Sequence, residues 1–127
     1  MFKVHTVARK NPRNHTTIYG LAAAPVQAVG LNHVTARIAR ESTVSSADVK
    51  AVLDSLQHVI IDELARGNSV RLGDLGSFRP TISAKTHATS EAVSMADIKR
   101  VRVQFSPGAE MRRSFNKDHI SFTQIKL

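Results

Sequence analysis

Arginine recurs at every second position near residue 100, a spacing that could bind a polyanion. Arg100 and Arg102 alternate with Val101 and Val103. Successive side chains of a β-strand point to opposite faces, so the two arginines would share one face and the two valines the other. We expect the valines to be buried and the arginines to meet phosphate groups.

The charge of the whole chain favours the same kind of partner. The chain has 127 residues and a formal net charge of +8. Residues 1–30 carry a net +4, residues 31–66 a net −1, and residues 67–127 a net +5. An excess of this size bears on partners rather than on fold, and it points to nucleic acid first and an anionic membrane second.

Other site chemistry finds little support. The absence of cysteine excludes disulfides and thiolate metal sites and is compatible with a reducing cytoplasm. Neither a nucleophile elbow, a glycine-rich phosphate loop nor an opposed acid–base pair is present. The six histidines lack metal-binding spacing; they are His5, His15, His33, His58, His87 and His119. We therefore predict a non-enzymatic protein with no metal, cofactor or small-molecule substrate.

Two helices should lie in the middle of the chain. Leu31, Val34 and Ile38 are three and four residues apart, which predicts a helix over residues 31–41. A second, longer helix carries an apolar stripe from Val49 to Leu64 and follows a Ser45-x-x-Asp48 sequence that resembles a capping box. Gly67 is the expected stop.

Strands should occupy both ends of the chain. Residues 2–8 predict a short strand, Asn11-Pro12-Arg13-Asn14 a turn, and residues 17–19 a return to extended structure. After Gly67 the apolar period changes to two, which predicts strands near residues 70–72, 76–82 and 98–105, with a bulge near Lys99. Residues 84–97 hold little apolar material and predict an exposed arm. A short helix should follow over residues 109–115, and the tail could form a last strand.

No membrane segment is predicted. Residues 1–10 contain no apolar run after their basic residues, and the short stretch Leu21–Ala24 ends at Pro25. We expect neither a signal peptide nor a transmembrane helix.

Three segments resemble the bacterial histone-like (HU) and integration host factor family. Gly67–Phe78 is similar to the family's G-x-x-V-x-L-x-x-[FL]-G-x-F signature, and it follows the long helix as it does there. Phe105–Arg112 is similar to the motif F-K-x-G-x-x-L-K, and Val44–Asp48 to the cap L-S-x-x-[DE]. Outside residues 31–116, Arg9-Lys10-Asn11-Pro12 and Ile120-Ser121-Phe122 resemble a divergent HU-like branch with a K-x-N-P extension and an I-x-F tail.

The resemblance implies an α+β fold. Its parts would be a helical-hairpin body, a three-stranded β-saddle with a protruding β-arm, and a short C-terminal helix, combined in an intertwined homodimer. The implied division is an N-terminal extension over residues 1–30, a DNA-binding domain over residues 31–116 and a tail over residues 117–127.

The implied function is largely sequence-independent binding of double-stranded DNA by a nucleoid-associated, architectural protein that condenses DNA in the cytoplasm. Its contacts with phosphate and minor groove would come from basic residues of the saddle, the arm and the last helix, whose N-terminus also offers free N–H groups. These residues are Arg79, Lys85, Lys99, Arg100, Arg102, Arg112 and Arg113.

Roles other than DNA contact remain open for some of the basic residues. Arg71 or Arg79 could protect a sheet edge, Arg113 could pair with Glu110, and the position of Arg9, Lys10 and Arg13 relative to DNA is undetermined.

One departure from the family leaves a second function open. Family arms carry an R-x-N-P-x-T-G tip whose proline wedges between base pairs, but residues 82–105 of this chain contain no proline. Kinking of DNA therefore cannot be carried over. The alternative is an HU-like fold redeployed as a protein-interaction module with weak DNA binding. A single-strand or RNA binder is less well supported, because the few aromatic residues mostly occupy apolar-face positions.

Overall fold

The computed structural model describes all residues from 1 to 127 and has a mixed α+β architecture with three α-helices and two three-stranded sheets. The chain divides into two compact units. One comprises residues 31–113, and the other joins residues 1–30 to residues 114–127. No helix combines the length and hydropathy required to span a membrane.

The helices of the 31–113 unit lie where the sequence predicts them. Helix α1 spans Leu31–Glu41 and α2 spans Ser46–Ala65. The Ser45 hydroxyl accepts a hydrogen bond from the Asp48 N–H at 3.2 Å, but the return bond of a capping box does not form there. Gly67, at φ +85°, ends the helix in the left-handed region.

The sheet of this unit is an antiparallel meander. Strands β3 (Val70–Arg71), β4 (Gly76–Ala84) and β5 (Ile98–Pro107) lie in that order. Ser83 pairs with Arg100 and Ala84 with Ile98, so Lys99 has no partner. The predicted bulge at Lys99 is confirmed.

The pairing register places apolar side chains on one face of this sheet. Phe78 lies opposite Phe105, with ring centroids 5.1 Å apart. Val101 and Val103 share this face but are 69% and 60% exposed in the single chain. The expectation that both valines are buried is therefore wrong, because α2 packs against β3 and β4 and leaves this part of β5 uncovered.

Residues 85–97 join β4 to β5 through an exposed segment with two short 3-10 turns, Ser90–Ala92 and Met95–Asp97. Helix α3 (Ala109–Ser114) follows β5 and ends one residue earlier than predicted.

The other unit holds a sheet that local patterns only partly predict. Strands β1 (Phe2–Lys10) and β2 (Thr17–Ala23) form an antiparallel hairpin, both longer than their predicted segments. Strand β6 (Phe122–Gln124) pairs with the start of β1 in parallel. The Phe2 and Phe122 rings lie 5.4 Å apart, so the tail belongs to the same sheet as the N-terminus.

Little side-chain surface is buried in the single chain. Ala24, Val49 and Thr35 are the only buried side chains, and many large apolar residues are exposed. A small chain that leaves so much apolar surface in water has more to gain than most from a second layer supplied by a partner.

Gly76 is the residue on which the start of β4 depends. It has φ +147°, and an added Cβ would lie 2.5 Å from the Ser106 carbonyl oxygen and 2.7 Å from the Phe105 ring. We expect Gly76→Ala to lower the free energy of unfolding by about 1–3 kcal/mol, measured by urea denaturation. Gly20→Ala is the matched control, because a Cβ there meets nothing within 4 Å. Equal losses in the two variants would contradict this account.

Candidate nucleic-acid interface

Four arginines lie on the face of the β3–β4–β5 sheet opposite the phenylalanines. The register pairs Arg71 with Ser77 and Ser77 with Ser106, which places these residues together. The same face carries Arg79, opposite Gln104, then Arg102, opposite Thr81, and Arg100, opposite Ser83. No carboxylate lies on the paired positions of this face. We call Arg71, Arg79, Arg100 and Arg102 the basic face.

The basic face keeps its charge largely uncompensated. Arg79 Nη2 donates to Gln104 Oε1 at 2.5 Å, a neutral partner that orients the guanidinium without cancelling its charge. Arg79 and Arg102 are diagonal neighbours, roughly 7–8 Å apart by ordinary sheet geometry. Cations at this separation repel each other, so a polyanion laid across the face would relieve that repulsion.

One end of the basic face opens into a concave surface. A cavity of about 460 Å³ brings Arg112, which lies in α3, together with Arg71 and Arg79. Its remaining lining is small or hydroxylated: Ser69, Gly73, Ser77, Ser106, Pro107, Gly108 and Ala109. Three guanidinium groups and three hydroxyls around one cavity are the donor set that a phosphate oxygen accepts from.

The other predicted cations lie elsewhere. Lys99 is the bulge residue and Lys85 follows the end of β4, so both lie at the opposite end of the β4–β5 ribbon from the cavity. Arg113 forms an ion pair with Glu110 at 2.6 Å. The pairing with Glu110 that the sequence left open for Arg113 is therefore present, while the cavity-lining cation of α3 is Arg112.

The sequence matches, over residues 1–124, the profile of a family described as an HU domain fused to a winged helix-turn-helix, immunoglobulin-like or glycine-rich motif, abbreviated HU-HIG. The match covers nearly the whole chain. The chain belongs to the HU-HIG family. The resemblance to HU-like proteins is thereby confirmed.

Solved structures share the fold of this HU-HIG chain. A candidate bacterial DNA-binding protein from Bacteroides vulgatus superposes with a TM-score of 0.64 at 18% identity, over 97% of this chain and 47% of that one. A point mutant of HU from Thermotoga maritima superposes with a TM-score of 0.52 at 22% identity, over 69% of this chain and all of that one. This chain thus spans about half the length of the Bacteroides protein. No curated protein matches.

Arg71 is the arginine of the HU-HIG cavity that sequence patterns alone did not assign to the site; they left an edge-strand role open for it. Its alternation with Val70 and Leu72 carried the needed signal. The same period of two places Arg71 on the face of Arg79 once β3 pairs with β4.

The segment between β4 and β5 is held at its base by a hydrogen bond between two side chains. His87 Nε2 lies 3.0 Å from Asp97 Oδ1, and the two side chains are 23% and 13% exposed. Asp97 Oδ2 also accepts from the Ser94 N–H at 2.9 Å. The hydrogen bonds from His87 and Ser94 lower the pKa of Asp97 below 3.8. Lys85 is the only Lys or Arg of residues 85–97, against two carboxylates.

These hydrogen bonds to Asp97 predict that the base of the segment between β4 and β5 loosens in acid. Because the pKa of Asp97 is lowered, its carboxylate stabilises the fold fully when the pH is above the ordinary pKa of 3.8. This stabilisation is lost as the pH falls through the lowered pKa. In an NMR titration the Ser94 amide signal should move with a midpoint below 3.8. Asp97→Asn should also speed amide exchange over residues 85–97, whereas Glu91→Gln, which removes the same charge from the same segment, should not. Equal exchange in both variants would rule out this role for Asp97.

Proposed function

We propose that this protein is a non-enzymatic, nucleoid-associated architectural protein that binds and condenses double-stranded DNA in the bacterial cytoplasm with little sequence preference. The observation that carries the proposal is the basic face: four arginines on one side of a sheet, free of carboxylates, joined at one end by Arg112. The two proteins of similar structure, one an HU and one a candidate DNA-binding protein, are in accord with it.

Phosphate contact explains this arrangement better than base recognition. Neutralising the phosphates of a duplex releases condensed counterions, and that gain depends on cation number rather than on base sequence. Base discrimination requires side chains presented to a groove in bidentate pairs. The basic face instead offers a broad, repetitive array, with hydroxyl groups of Ser77, Ser106 and Thr81 between the arginines.

The DNA-binding domain in this proposal is residues 31–116. The basic face and Arg112 form its centre. Lys85 and Lys99 extend the contact along the β4–β5 ribbon, and Arg113 contributes less because Glu110 shares its charge.

A second copy of the chain completes the proposed binding unit. The apolar face of the sheet exposes Ile82, Val101, Val103 and Phe105, while helices α1 and α2 expose Val34, Ile38, Val52 and Val59. Residues Ile38, Val44, Val49, Val52 and Leu53 also line an apolar groove of about 280 Å³. A homodimer would bury both apolar surfaces and bring together two basic faces.

One observation favours the alternative of a protein-interaction module with weak DNA binding. The segment between β4 and β5 has a single Lys or Arg and holds Glu91 and Asp97. A segment with this charge cannot bind a duplex strongly by electrostatic attraction. The alternative therefore predicts that replacing the arginines of the basic face changes DNA affinity little.

A salt titration of DNA binding separates the two functions. Fluorescence anisotropy with a labelled random-sequence duplex should give a slope of log K against log salt near −5 if about six phosphates are neutralised. The double variant Arg100→Gln, Arg102→Gln should make the slope shallower by about 0.9 for each phosphate that is no longer neutralised. The control is Arg37→Gln with Arg66→Gln, whose arginines pair with Glu41 and Asp62 on the helices. A shallow wild-type slope, or equal slopes in both variants, would favour the interaction module.

Light scattering at micromolar concentration tests the dimer. We expect a mass of twice the 13.9 kDa of one chain. Val101→Asp with Val103→Asp should shift the protein toward the monomer, because buried carboxylates without partners oppose association. Val93→Asp is the control, since Val93 is exposed outside the two sheets. A single-chain mass for the wild type would rule out the dimer.

A further inference from the structure

The second unit carries more net positive charge than the DNA-binding unit. Residues 1–30 and 114–127 contain six basic residues and one acidic residue, Asp118, for a net charge of +5. Residues 31–113 contain twelve basic and nine acidic residues, for a net charge of +3. The net charge of the smaller unit therefore attracts polyanions independently of the larger unit. The basic face lies in the larger unit, so it does not explain this charge.

Three of the six cations gather at one end of the β1–β2 hairpin. Arg9 and Lys10 are the last residues of β1 and point to opposite faces, and Arg13 lies in the loop that follows. All three are exposed, and none forms an ion pair. Their charge surrounds the end of the hairpin on both faces and at its tip.

The hairpin end projects from its sheet as a two-stranded ribbon. Strand β6 pairs with β1 only from Phe2 to Val4, whereas β1 and β2 remain paired out to Lys10 and Thr17. Beyond Val4 the sheet consists of two strands and a loop. A ribbon of two strands is narrow enough to enter the major groove of a duplex.

The loop at the end of the ribbon is fixed by its own hydrogen bonds. The Asn11 N–H donates to the Thr16 carbonyl at 2.8 Å, and the His15 N–H donates to the Asn11 carbonyl at 2.9 Å. Asn11 Oδ1 accepts from the Arg13 N–H at 3.0 Å, and Asn14 Oδ1 accepts from the Thr16 hydroxyl at 2.7 Å. His15 holds the turn at φ +59°. A loop ordered in advance loses little entropy when its cations bind.

We propose that the end of this ribbon, residues 9–17, is a second DNA-contacting element that binds duplex phosphates through Arg9, Lys10 and Arg13. This inference rests on the proposed function for the identity of the polyanion. Asn11 and Asn14 do not read adenine in this contact, because bidentate recognition needs the side-chain oxygens that both commit to the loop.

The alternative polyanion, an anionic membrane surface, fits the ribbon less well. Insertion into a bilayer interface requires large apolar side chains beside the cations. The tip instead carries Asn11, Asn14, Thr16 and Thr17, and Pro12 is the only apolar residue between Lys10 and Thr17. The exposed Ile18 and Tyr19 lie behind the tip, on β2 opposite Arg9 and Ala8.

The full chain with Arg9→Gln, Lys10→Gln and Arg13→Gln tests the ribbon. Its slope of log K against log salt should be shallower than the wild-type slope by up to about 2.7, which is about 0.9 for each of three phosphates. The matched control is Lys3→Gln, Lys117→Gln and Lys126→Gln, which removes the same charge from exposed positions of the same unit. Equal slopes in the ribbon and control variants would overturn the inference.

The two proposals fail in different ways. If the ribbon variant has the same slope as its control while Arg100→Gln with Arg102→Gln makes the slope shallower, the basic face binds DNA and the ribbon does not. If only the ribbon variant makes the slope shallower, the ribbon inference stands and the role of the basic face fails. Loss of binding to vesicles of phosphatidylserine and phosphatidylcholine in the ribbon variant, with duplex affinity unchanged, would identify a membrane contact and overturn the inference.

Crosslinking provides a direct measure of proximity. The chain contains no cysteine, so Thr17→Cys gives a unique attachment site opposite Lys10 for a benzophenone maleimide. Irradiation with the duplex should yield a protein–DNA adduct whose amount falls in the ribbon variant. Absence of an adduct under conditions where anisotropy shows saturation would also overturn the inference.

Discussion

The register of the β4–β5 ladder is the constraint on which the basic face depends. Side chains alternate strictly along both strands, so pairing Phe78 with Phe105 sends every arginine of the ladder to the opposite side. A slip of one residue would place Arg100 and Arg102 on the apolar face and the valines on the basic one. The Phe78–Phe105 contact and the backbone conformation of Gly76 fix this register at one end, where the close approach of Ser106 admits no side chain.

The bulge at Lys99 extends the same logic to the other end of the ladder. Without an extra residue in β5, strict alternation would leave Ile98 and Arg100 on the same face. Because Lys99 is unpaired, Ala84 meets Ile98 while Ser83 meets Arg100, and the alternation is offset between them. A bulge also increases local twist, which suits the base of a segment that leaves the sheet. The His87–Asp97 pair closes that segment immediately beyond the bulge.

The sequence predicted the elements whose signals are local. The signals that begin and end helix α2 are Ser45 and Gly67, and in the structure Ser45 caps the helix and Gly67 ends it. The parallel pairing of β6 with β1 has no such signal, because the partners, such as Phe2 and Phe122, lie far apart in the chain and only a short piece of the tail is involved. The burial of Val101 and Val103 was misjudged for a related reason. Periodicity identifies which residues share a face, but not whether the single chain supplies a layer to cover it. Arg71 was not assigned to the site because its alternation with Val70 and Leu72 places it on the face of Arg79 only once β3 is paired with β4.

The distribution of cations gives the two sheets a common physical character. In each, basic side chains occur where the backbone is held by a neighbouring strand or by loop hydrogen bonds, and carboxylates are absent from the same surface. The segment between β4 and β5 is the opposite case, since its carboxylates outnumber its Lys and Arg residues and one of them, Asp97, is hydrogen-bonded to His87. Positive charge is concentrated on ordered ribbons rather than on that long connection. Because ordered cations lose little conformational freedom on meeting phosphate, this distribution favours binding by rigid surfaces over envelopment by an arm.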